Sequence, residues 1–74
     1  MTQEELKRMF TFTPLAGADM EQVGAIRAAG LEFAEEILKR APDVSSRERA
    51  IIHVLEAVML TNVSIANAPR KEAL

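Results

Sequence analysis

The sequence predicts an all-α fold in which a short N-terminal helix precedes a long antiparallel helical hairpin that oligomerises. Three observations lead there. Apolar residues recur at helical spacing over two long stretches. Residues with capping chemistry stand at the heads of three segments, and Pro14, Pro42 and Pro69 interrupt the chain around them. The 74 residues include no cysteine and a single histidine. A domain this small therefore has no disulfide or thiolate metal site to staple it, and association is the stabilising route left.

Thr2 and Glu5 have the form of a capping box, T-x-x-E, opening a helix of about two turns that runs through Met9 or Phe10. Residues 11–18 read as extended: Thr13 precedes a proline, which disfavours helix, and Gly17 permits a turn. Asp19 with Gln22 makes a second box, and the long helix after it runs over residues 20–41, where Pro42 stops it and Asp43 and Val44 form the connection. Ser45 with Glu48 makes a third, opening a final helix over residues 46–67. Pro69 lies beyond its end, and residues 68–74 read as a frayed tail. There are no repeats or low-complexity tracts, so residues 1–74 form one helical-hairpin domain.

Winding residues 20–41 as a helix gathers Met20, Val23, Ile26, Gly30, Leu31, Phe33, Ala34, Ile37 and Leu38 on one side, with Arg27 among them. The acids Glu21, Glu32, Glu35 and Glu36 point the other way. A guanidinium desolvated without an anion is costly, so a partner segment or a ligand must supply one, unless Arg27 snorkels its head to water. On the final helix, Ile51, Ile52, Val54, Leu55, Val58, Met59, Val63, Ile65 and Ala66 cover about half of the circumference, wider than the stripe one neighbour hides. The first helix can cover part of this arc, and self-association of hairpins covers the rest. Asn62 sits within it, either as a polar seam residue that fixes register or as a ligand contact.

The formal charge of −2 argues against DNA or RNA polymers as partners. No signal peptide or membrane-spanning segment is evident, which leads to the expectation of a soluble, cytoplasmic protein without a membrane partner. Catalytic and metal-binding constellations are lacking: no G-x-S-x-G, P-loop or H-E-x-x-H occurs, and no cofactor motif. His53 falls on the more polar side of the last helix, where Glu56 at i+3 can orient its imidazole. Binding is what remains. Phe12, in the extended stretch between Thr11 and Thr13, is either a plug that pins the loop to the helices or an aromatic face for a nucleobase. An aromatic beside a desolvated arginine suits the base and phosphate of a small nucleotide.

The run Phe10-Thr11-Phe12-Thr13-Pro14, followed by Ala25-Ile26-Arg27-Ala28-Ala29-Gly30, Ala41-Pro42, Ser46-Arg47-Glu48-Arg49-Ala50 and Glu56-Ala57-Val58-Met59 with Asn62 and Ile65-Ala66, resembles the phage anti-CBASS cyclic-nucleotide sponges. Their helical-hairpin domain is shared with phage proteins that sequester cyclic ADP-ribose signals. The resemblance implies a homohexamer in the cytoplasm of the infected bacterial host, capturing cyclic oligonucleotides made by defence cyclases without cutting them. By position, Phe12 matches a family tyrosine that stacks on a base, and Arg27 matches a basic residue that contacts phosphate. Thr13 and Gly30, within the same runs, complete the candidate ligand-binding set. Arg49 and His53 are candidates for a second pocket taking cyclic trinucleotides, and Leu60 stands where the family often has tryptophan. A twofold pair of hairpins would place two copies of Phe12 and Arg27 around one pocket, matching the pseudo-twofold form of a cyclic dinucleotide. The alternative class is a small helical adaptor that binds another protein through the wide arc of its last helix.

Overall fold

Three helices make up the fold of the computed structural model, which describes residues 1–11 and 19–67: α1 (Gln3–Met9), α2 (Met20–Arg40) and α3 (Val44–Ala66). No strand occurs among the described residues. The expected tail at residues 68–74 lies outside them.

Each helix begins where a side-chain oxygen can accept from an otherwise unpaired backbone N–H. At α1 the box is reciprocal: the Thr2 hydroxyl accepts from the Glu5 N–H at 3.1 Å, and the Glu5 carboxylate accepts from the Thr2 N–H at 3.1 Å. Those bonds with Thr2 hold the Glu5 carboxyl below its ordinary pKa. The Asp19 carboxylate caps α2, accepting from the N–H groups of Glu21 and Gln22 at 3.0 and 3.3 Å. The third start differs from the expected Ser45 and Glu48 box. Asp43 is the N-cap, its carboxylate accepting from the Ser46 N–H at 2.9 Å, so Val44 belongs to α3. Hydrogen bonding from Ser46 also lowers the Asp43 pKa. An ionised acceptor directly after Pro42 outcompetes a serine hydroxyl two residues later, and the connection shrinks to Ala41, Pro42 and Asp43.

The hairpin pairs α2 with α3, and α1 lies across one side of it. Leu6 and Phe10 from the α1 segment meet Ala34, Ile51 and Val58 in a buried cluster, flanked by Met9, Ile26, Leu31, Ile37, Leu38, Val54 and Leu55. Gln3 adds a polar tie at the rim, donating from Nε2 to Glu35 at 2.8 Å. Gly30 permits the close approach at the centre: a Cβ there would stand 2.3 Å from Val58 Cγ2 and 3.3 Å from Phe10 Cε2. Phe10 is thus the aromatic that pins the first segment to the hairpin, filling the space the glycine leaves.

One member of the expected buried face behaves otherwise. Phe33 is 59% exposed, because α1 covers the side of α2 that carries Leu31, Ala34 and Leu38 and leaves the opposite flank open. On α3, Ile52, Met59 and Val63 are also exposed. These three residues form one flank of the half-circumference arc, which α1 and α2 leave uncovered, while Ile51 and Val58 are buried and Val54, Leu55, Ile65 and Ala66 half-buried. The 23 residues of α3 are long and apolar enough, by length and composition alone, to cross a membrane. A helix at the centre of a helical assembly has the same composition.

Candidate functional site

Arg27 is half-buried on α2, one turn before Gly30. Its helical neighbours at three and four residues are Val23, Gly24, Gly30 and Leu31, so its own helix offers no anion. The ion pairs of the described residues, Arg40 with Glu36 at 2.7 Å and His53 with Glu56 at 3.4 Å among them, do not include it. Among the described residues Arg27 is thus a half-buried cation on an otherwise apolar face with no ion pair.

The antiparallel contact of Val58 with Gly30 sets the register of the hairpin. One turn further along α3, Asn62 comes level with Ile26 and Arg27. Its side chain is 3% exposed, and both Nδ2 and Oδ1 lack a hydrogen-bond partner. A buried amide with four unmade bonding opportunities is costly unless another molecule completes them. Cation and amide thus occupy the same end of the hairpin, next to Phe10, two positions before Phe12. Phe12 and Thr13 themselves lie outside the described residues. Gly30 has a sufficient reason in packing, being buried against Val58 and Phe10.

Arg49 and His53 share one exposed face of α3 with Glu56 and Leu60, at i, i+4, i+7 and i+11. His53 Nδ1 faces Glu56 Oε1 as the spacing predicted, with both side chains in solvent. Leu60 is 68% exposed. The register carries these residues away from Arg27, so they form a separate surface. A cavity of about 370 Å³ between α1 and α2 is lined by Gln3, Glu32, Glu35, Glu36, Leu38 and Lys39. Three carboxylates against one lysine make it unsuited to a phosphate. Among the described residues no group of three or more His, Cys, Asp or Glu is placed to hold a metal ion.

Phe33 is what sequence reasoning misplaced. Its neighbours Ala29, four residues before it, and Glu36, three residues after it, mark it as standing at the edge of the apolar stripe. Compared with protein-family models, with curated proteins and with solved structures, the chain matches none of them.

Proposed function

We propose that this chain is a sponge for cyclic oligonucleotide second messengers, binding cyclic dinucleotides and, at a second pocket, cyclic trinucleotides, and withholding them from CBASS effectors without cleaving them. The reading joins the resemblance carried by the runs around Phe12 and Arg27 to one observation: Arg27 is half-buried, without an anion on its own helix or an ion pair among the described residues. A phosphate diester supplies that anion, and arginine can grip it with two parallel N–H bonds. The resemblance assigns Phe12 and Thr13 to the base, and the unpartnered Asn62 amide, level with Arg27, has the donors and acceptor to read a base edge. The working form in this proposal is a homohexamer in the cytoplasm of an infected bacterium. The second reading, a helical adaptor for another protein, draws on the exposed Ile52, Met59 and Val63 of α3.

The residue inventory supports sequestration without chemistry. Cleaving a phosphodiester needs an activated nucleophile and stabilisation of developing charge. With one histidine, solvated and paired to Glu56, and no cysteine, the chain offers no evident attacking group. Denaturing the protein after incubation with a cyclic dinucleotide and chromatographing the supernatant should return the starting compound. A linear product that scales with protein and vanishes in His53→Ala would make it an enzyme. Because the chain has neither tryptophan nor tyrosine, it barely absorbs at 280 nm, and a 260 nm band in purified protein reports retained nucleotide directly.

A further inference from the structure

The two glycines of α2 stand in opposite surroundings. At Gly30 an added Cβ would lie 2.3 Å from Val58 Cγ2, so packing forbids a side chain. At Gly24 an added Cβ meets no atom of the described residues within 4 Å. Gly24 is the fifth residue of α2, inside the helix rather than at a cap, and its backbone is not in the left-handed region that favours glycine. Alanine at that place would strengthen the helix, because glycine loses more backbone freedom on folding. Neither conformation nor packing among the described residues accounts for it, and the use of glycine that remains is close approach of the backbone by another group.

The neighbours of Gly24 indicate which group. Arg27, at i+3, lies on the same side of α2 and is half-buried without an ion pair among the described residues. Leu31, at i+7, continues that line into the part of the helix packed on the core. α1 ends at Met9 and Phe10 reaches Gly30, so Gly24 and Arg27 lie on the turns beyond α1. Across the seam Asn62, 3% exposed with both amide atoms unpartnered, is level with Arg27. An unpaired cation, an unpartnered amide and a glycine without a packing role thus fall at one end of the hairpin.

We infer that Gly24 is a specificity-determining residue of the Arg27 site: its missing side chain lets the ribose-phosphate ring of a cyclic dinucleotide come down onto α2 within reach of the Arg27 guanidinium. The inference rests on the sponge reading and adds a steric requirement to it. A phosphate gripped by two guanidinium N–H bonds is held about 2.7–2.9 Å from the nitrogens and carries a sugar on either side. Residues three apart on a helix have Cβ atoms only about 5–6 Å from each other. A side chain at position 24 therefore competes with one of those sugars for the same space.

Calorimetric titration of cyclic di-AMP and cyclic GMP-AMP into wild type, Gly24→Ala, Gly24→Leu and Arg27→Ala is the test, with thermal melts of the same proteins unliganded. Gly24→Ala should melt about 4 °C above wild type and bind about tenfold more weakly. Gly24→Leu, a good helix former with a longer side chain, should keep the helical signal and lose binding altogether. Higher melting with lost affinity is a pair of changes that a glycine kept for the fold does not produce. Wild-type affinity in Gly24→Ala, alongside lost affinity in Arg27→Ala, overturns the inference and leaves the sponge reading standing. A wild type that binds neither nucleotide removes both. A lower melting temperature in Gly24→Ala also overturns the inference, since the protein itself would then fill the space beside Gly24.

Discussion

Replacing Phe10 with alanine is expected to unfold most of the protein at room temperature. Phe10 is 1% exposed and is the largest fully buried side chain among the described residues. It fills the notch that Gly30 leaves beside Val58. Truncating a buried phenylalanine costs about 3–5 kcal/mol, transfer and cavity terms together. A core in a chain of this length supplies only about 3–5 kcal/mol in total, so the loss is comparable with the whole stability of a protomer. Urea unfolding followed at 222 nm should show little or no native baseline for Phe10→Ala. A midpoint equal to wild type would mean that α1 contributes nothing to the hairpin, and the packing described above would be wrong.

Asn62→Leu is expected to act in the opposite direction. The amide is 3% exposed with neither polar atom partnered, and leucine has the same γ-branched outline without atoms that need bonding. Leaving a buried polar group unpaired costs about 1–3 kcal/mol, and relieving 1 kcal/mol raises the melting temperature of a domain this size by about 4–8 °C. Thermal melts of the unliganded protein should therefore show Asn62→Leu melting higher. A lower melting temperature would mean that the amide is satisfied in the native assembly and serves there as a register device. If Asn62 contacts ligand, the same variant gains stability and loses affinity, a pair of changes that a purely structural residue does not produce.

The helices were legible in the sequence because their signals are local. Thr2 with Glu5 and Asp19 with the following N–H groups set two starts within a residue, and Pro42 set a stop. The third start was misjudged because two acceptors compete there, and only the geometry at Pro42 shows that the Asp43 carboxylate reaches the Ser46 N–H first. Periodicity identified Phe33 as apolar-facing but not which flank α1 covers, since a stripe spanning more than one contact angle has no preferred edge until its partners are placed. The same uncertainty hid Phe10, whose role depends on the non-local coincidence of Gly30 and Val58. Arg27 and Asn62 were visible as polar residues on apolar faces. That they come level across the hairpin is a matter of register, which no single helix encodes.

The claim that Arg27 holds the phosphate of a cyclic nucleotide is tested most directly by calorimetric titration of wild type and Arg27→Ala. Cyclic di- and trinucleotides of several base compositions and linkages are the ligands, and linear dinucleotides are the controls. Wild type should bind at least one cyclic dinucleotide in preference to its linear counterpart. Arg27→Ala, with its oligomeric mass unchanged, should lose about 1.5–3 kcal/mol of binding free energy, more than tenfold in affinity, as expected for removal of a charge-assisted contact. Absence of heat with every cyclic nucleotide, or equal affinity in the variant, would contradict the account and return the apolar surface of α3 to the adaptor reading.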